Sequence, residues 1–144
     1  MRKVSNFNQK KGICTVFLMV LTAFCLTACT STKLAEEFDE AKVKESATKA
    51  VDYLIAGEYE ECVAMMDANM QASLTPEALS ANVDAVIEKV GAFQEYKSVA
   101  VVGQKDGQGA DYAVAVVVAG FENGKLTFNV SFNVGMEMIG LWMK

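Results

Sequence analysis

The sequence predicts an α+β fold: three N-terminal helices packed on a four-stranded antiparallel meander. Two observations carry this. Up to Gly91 the apolar residues recur at three-to-four spacing, and from Phe93 onward they recur at every second position. An Asn-Gly pair at 123–124 then marks a tight hairpin inside the second region. Helices first and strands afterwards put the two element types in separate layers.

Over about residues 33–56, Leu34, Phe38, Ala41, Ala47, Val51 and Leu54 follow the helical period. Acids come early (Glu36, Glu37, Asp39, Glu40) and lysines later (Lys42, Lys44, Lys49), an order that suits the helix dipole, and Gly57 is a fitting stop. A second helix over about 58–70 sets Tyr59, Val63, Met66 and Met70 on one stripe. A third, over about 76–90, opens with Thr75 as cap and Pro76 as first helical residue, carries Leu79, Val83, Val86 and Val90 inward, and ends at Gly91.

Four strands follow, over about 93–104, 112–121, 126–134 and 136–142. If Asn123 and Gly124 form the loop, Glu122 opposes Lys125, Phe121 opposes Leu126, Ala119 opposes Phe128, Val117 opposes Val130 and Ala115 opposes Phe132. One face then sets large residues beside alanines, a trough for a helix and hence the expected core face. The other sets Val114, Val116 and Val118 beside Asn133, Ser131 and Asn129. That half-apolar face is open to solvent, to a helix or to a second copy, and it is the expected face of a homodimer. The glycine-rich turn 106–109 leaves the first hairpin unregistered.

Residues 1–28 read differently. Arg2, Lys3, Lys10 and Lys11 precede an apolar run over 13–27, and small residues precede Cys29. That order describes a secretory signal, and the run is shorter than the ~20 residues of a membrane-spanning helix. Leu26-Thr27-Ala28-Cys29 resembles the bacterial lipoprotein processing site. The resemblance implies cleavage between Ala28 and Cys29 and a diacylglyceryl group on the Cys29 sulfur. Two acyl chains, at ~0.8 kcal/mol per buried methylene, anchor stably where one does not. Residues 29–32 are then a short lipidated linker and 33–144 a single α+β domain, extracytoplasmic and lipid-anchored to the bacterial cell membrane.

Removal of residues 1–28 leaves 116 residues with 9 basic and 18 acidic side chains, a net charge of −9. Such a balance argues against nucleic acid as a partner and against electrostatic attraction to an anionic bilayer. Cys62 is then the one cysteine without a lipid, so no disulfide forms within the domain. The chain has no histidine, the commonest general base and metal ligand.

Candidate chemistry is correspondingly thin. Acid/base catalysis would have to use Glu95, Asp111 or Glu137, and surface carboxylates are the simpler reading. Cys62 as a nucleophile has no histidine to activate it and has Glu60 and Glu61 beside it, so a small core residue is the better reading. Met65, Met66 and Met70 offer thioethers to copper(I), yet methionine at helical spacing is ordinarily core packing. Gly124, Gly135 and Gly140 make no phosphate loop. No catalytic residue, cofactor or metal is expected.

Ala56-Gly57-Glu58-Tyr59-Glu60, Leu74-Thr75-Pro76-Glu77-Ala78-Leu79, Gly91-Ala92-Phe93, Phe132-Asn133 and Ile139-Gly140-Leu141 resemble the bacterial "domain of unknown function 3887" family. The resemblance implies a cone-shaped α+β fold of the nuclear transport factor 2 or cystatin type, with a pocket at its open end. Tyr96, Phe128, Phe132 and Trp142 would line the mouth and hold a small apolar or peptide ligand. The simpler reading of the four aromatics is core. Some relatives carry a following α/β-hydrolase domain; with the sequence ending at Lys144, no such domain and none of its serine–histidine chemistry is expected here. The expected function is a non-catalytic ligand- or protein-binding module at the cell surface. The alternatives are a small hydrolase or isomerase using pocket carboxylates and an accessory domain of a separately encoded enzyme.

Overall fold

Asp39 starts the first helix. In a computed structural model that describes residues 33–144, its carboxylate accepts from the backbone N–H of Ala41 at 2.9 Å and of Lys42 at 3.3 Å, and α1 runs Glu40–Ala56. The expected signal segment, the Ala28–Cys29 cleavage point and the linker 29–32 lie outside the described residues. The helix therefore begins seven residues later than its periodicity suggests. Phe38 and Val43 hold the two positions of a hydrophobic staple, and both are buried. The stretch before it turns instead, with Phe38 N–H donating to the Ala35 carbonyl at 3.1 Å. Gly57, at φ 75°, ends α1: its N–H reaches the Leu54 carbonyl and Glu58 N–H reaches that of Tyr53, a Schellman stop. Val43, Ala47, Ala50, Val51 and Leu54 form the buried face.

The expected second helix is two, so the described chain has four helices where three were expected. α2 is Tyr59–Ala64 and α3 is Ala68–Ser73. The break at 65–67 has a tertiary cause. Met138 N–H donates to the Met65 carbonyl at 2.8 Å and Asp67 N–H to the Met138 carbonyl at 2.9 Å, a parallel bridge that takes backbone groups a continuous helix would use. Asp67 then caps α3 through Met70 N–H. α4, Pro76–Val90, starts on Thr75 and stops at Gly91, as its sequence signals indicate.

Strands β1 (Phe93–Lys105), β2 (Asp111–Phe121), β3 (Gly124–Phe132) and β4 (Met138–Met143) form one antiparallel sheet in chain order. The β2–β3 register differs from expectation by two residues. Phe121 faces Gly124, Ala119 faces Leu126, Val117 faces Phe128, Ala115 faces Val130 and Ala113 faces Phe132. The loop is thus Glu122–Asn123, and neither residue has positive φ. Docking decides this: Glu122 N–H donates to the Ala92 carbonyl and Asn123 N–H to that of Val90, tying the turn to the end of α4. A slip of two preserves the face of every side chain. Ala113, Ala115, Val117 and Ala119 are therefore inward and fully buried with Phe128, Val130 and Phe132, and α1 packs on that face.

β3 also ends two residues short of expectation. Asn133 closes a turn through Glu137, with Glu137 N–H donating to its Oδ1 at 3.0 Å, and Val134 is left 57% exposed. β4 accordingly starts at Met138. A bulge between Ser131 and Phe132 follows, pairing Phe132 with Met138 but Ser131 with Gly140. The extra residue reverses the alternation for the rest of β4. Trp142, which would otherwise share the face of Met138, is turned outward.

Candidate functional site

The four aromatics assigned to a pocket mouth do not come together. Phe128 and Phe132 are wholly buried in the core, whereas Trp142 is 59% exposed on the opposite face of the sheet. Tyr96, half-buried on β1, donates from its hydroxyl to Asp52 Oδ1 at 2.5 Å and stands 3.5 Å from the Thr48 carbonyl. It ties β1 to α1, and its one proton is spent on Asp52. Burial first, then the hydrogen bond to Asp52 and its charge, raise its pKa well above the tyrosine norm.

A second tyrosine–carboxylate pair holds the helical layer. Tyr59 of α2 donates to Asp84 Oδ1 on α4, and Ser80 Oγ donates to Asp84 Oδ2 at 2.6 Å. Burial, followed by the bond to Asp84 and its charge, pushes Tyr59 up to about 12. The donations from Ser80 and Tyr59 hold the Asp84 carboxyl below the usual carboxylate range. Shallow depressions of about 360 and 370 Å³ flank this pair. Asp84 spends both oxygens on its own neighbours, so the arrangement is a staple between helices.

The carboxylates weighed as acid/base candidates all sit at the surface. Glu95 is exposed and paired with Lys97, whose ammonium donates to it and lowers its pKa. Asp111 pairs with Lys105 at 2.7 Å, and Glu137 accepts from Asn133 Nδ2 at 2.9 Å. No charged or polar residue among the described residues is buried, so carboxylate chemistry lacks the dry pocket it needs. Cys62 is buried, and burial pushes its thiol up to about 11, far from a nucleophile's range. Met66 and Met138 are buried, and Met65 and Met70 pack against the core, as packing methionines do. No set of three or more Cys, Asp or Glu positioned for a metal occurs among the described residues.

The outer face of the sheet is left without a covering element among the described residues. Its central row is Ala100, Val116, Asn129 and Trp142, and the next is Val102, Val114, Ser131 and Gly140. A third is Ser98, Val118, Thr127 and Lys144, the last paired with Thr127 through both backbone groups. The stripe expected to form a dimer face, Val114, Val116 and Val118, thus lies in the middle of this surface, half-buried by its own neighbours. A depression of about 390 Å³ opens at the end nearest the β1–β2 turn, between Tyr112, Ser131, Asn133, Ile139 and Asp111. Alternation identifies the Val114–Val118 and Thr127–Asn133 sides of this face in the sequence. Trp142 joins them only through the bulge, for which the sequence carries no signal.

A family model described as "Protein of unknown function (DUF3887)" matches residues 47–141. No curated protein matches. Among solved structures, an NMR structure of a protein from Ruminococcus gnavus ATCC 29149 is similar, with a TM-score of 0.66 at 22% sequence identity, covering 77% of this chain and 96% of that one. At that identity the likeness bears on fold alone.

Proposed function

The chain belongs to the DUF3887 family, and we propose that it is a lipid-anchored, non-catalytic binding module of the bacterial cell surface whose working surface is the outer face of the sheet. One observation carries the reading. The inner face is filled core, while the outer face presents an open apolar stripe and a 59% exposed tryptophan. The lipid anchor is supported by the three-part signal pattern and by Cys29 in its processing site. A helix laid along one face of an antiparallel sheet supports kinship with cones of the nuclear transport factor 2 or cystatin type.

Two measurements test the proposal. Metabolic labelling with a clickable fatty acid should mark the wild-type chain and leave Cys29→Ser unlabelled; equal labelling of both removes the anchor. A photo-crosslinking amino acid at Asn129, irradiated in the intact cell, should give an adduct that the same group at Glu88 on α4 does not. No adduct at Asn129, or identical adducts at both, removes the working face.

A homodimer is the second reading, favoured by the β-branched stripe, which can meet its own copy across a two-fold axis. Val116→Glu should then halve the mass read by light scattering, whereas a wild-type monomer removes the dimer.

A further inference from the structure

Resting on the outer face as working surface, we propose that it binds a neutral, hydroxyl-rich glycan chain, with Trp142 stacking on one sugar ring and Thr127, Asn129 and Ser131 hydrogen-bonding the rings beside it. Four features of the face converge on that class of ligand. Trp142 gives a broad apolar plate beside Asn129 on an otherwise open sheet, with the Lys144 ammonium 5.4 Å from its ring centroid to steady it. A pyranose ring has matching anatomy: an apolar C–H face for the plate and hydroxyls radiating from its rim for the neighbours.

The neighbours supply the second feature. The side chains of Thr127, Asn129 and Ser131 point outward and hydrogen-bond to no other described residue. Asn129 offers an amide donor and acceptor side by side, the complement of two adjacent hydroxyls. Each of the three is uncharged.

Gly140 supplies the third. A Cβ there would stand 3.3 Å from both Cβ and Oγ of Ser131, so any larger residue would crowd that side chain. Glycine keeps the floor low between Trp142 and the depression of about 390 Å³ where Tyr112, Ser131 and Asn133 meet. That volume is at the lower end of the ~300–1,000 Å³ of small-ligand sites. From Trp142 to Tyr112 is two strand spacings across and four residues along, roughly 17 Å. The track has the length of a short oligosaccharide rather than of a single ring.

Charge is the fourth. From Cys29 onward the chain carries −9, and the three central rows of this face hold a single charged side chain, Lys144, which pairs with Thr127 at the edge beside Trp142. An anionic polymer would meet Lys144 alone at one end of the track, would face Asp106 and Asp111 at the other, and would be repelled by the domain as a whole. A cationic peptide would be drawn instead to the acid-rich helices. A second copy would have to bury Thr127, Asn129 and Ser131 without assured partners, which costs free energy that a hydroxylated ligand avoids.

The sole tryptophan makes the test direct, because Trp142 emission reports on this face alone. The full chain, extracted in a polyoxyethylene detergent free of sugar headgroups, is titrated with chitotriose and maltotriose and then displayed on an array of neutral oligosaccharides. Binding should give a saturable emission change that is at least tenfold weaker for the corresponding monosaccharides. Asn129→Ala should weaken it about fivefold, the worth of one net hydrogen bond. Ser131→Lys, which fills the track without touching the core face, should abolish it with circular dichroism unchanged. Flat emission with both trisaccharides together with a blank array overturns the proposal, as does an unaltered response in Ser131→Lys. A blank array with a cellular crosslink at Asn129 overturns the glycan alone, whereas loss of both overturns the working face as well.

Discussion

Tyr59 and Tyr96 each donate a hydrogen bond to a carboxylate on a neighbouring helix, and each sits where a phenylalanine would fill the same space. Neither pairing is legible in the sequence, because the partners lie 25 and 44 residues away and surface aspartates are ordinary on helices. Both hydroxyls are harder to ionise in the folded chain, which links stability to pH. Unfolded, Tyr59 gives up its proton near 10.0; folded, it keeps it to about 12. Its contribution is fully present below pH 10.0 and is lost as pH rises through about 12. Urea unfolding of the wild type should therefore show stability falling over that alkaline interval. Tyr59→Phe/Tyr96→Phe should fall less steeply and, at neutral pH, lose about 1 kcal/mol per deleted bond. An identical alkaline slope in the double variant would assign the pH dependence to other groups, the Cys62 thiol first. Cys62 is set apart in the same way: with its thiol pushed up to about 11 and no exposed surface, it should stay unmodified by maleimide until the chain unfolds.

Elements were legible where a local signal fixed them and illegible where a distant strand did. Thr75-Pro76 and Gly91 placed α4 to the residue, since cap and stop act within one turn. Asp39 is a cap of the same kind, yet the apolar period continuing back to Leu34 masked it. That earlier segment passes over the sheet instead. A Cβ on Gly103 would stand 2.5 Å from the Lys33 carbonyl oxygen and 2.9 Å from Leu34 Cα, so only glycine lets the incoming chain cross β1 there. Gly103→Val should expel residues 33–38 while the sheet persists. Amide exchange at Phe38, whose N–H is bonded to Ala35 in the native turn, should speed up at least tenfold, with Val117 and Val130 still protected. Loss of protection across the sheet would show instead that the segment is part of the core. The β4 bulge and the Met66–Met138 bridge have no such local signal, and the two elements misjudged most, the second helix and the face of Trp142, are the ones they control.

At the scale of the whole molecule, α1 can lie on the sheet because the strand beneath it is small-residued. Ala113, Ala115 and Ala119 sit fully buried on β2, and the bulk that fills the layer comes from β3, where Leu126, Phe128 and Phe132 stand beside them. The sequence carried this division of labour even though the register was two residues off, since an even slip keeps alanines beside large residues. The pairing Ala113–Phe132 makes it testable, because opposed residues on an antiparallel pair approach to ~4.5–5.5 Å between Cβ atoms. Phe132→Ala should open a cavity and cost ~3–5 kcal/mol. Ala113→Leu should overpack the same layer and cost ~1–3 kcal/mol. If the layer is set by summed volume, the double variant moves the bulk from one strand to its neighbour and recovers part of the loss, with a coupling of ~1–2 kcal/mol by denaturant unfolding. Additive losses would mean that each position answers to a separate neighbour, Phe132 to the α3–β4 side and Ala113 to α1. The two layers would then be held by independent contacts rather than by one shared fit.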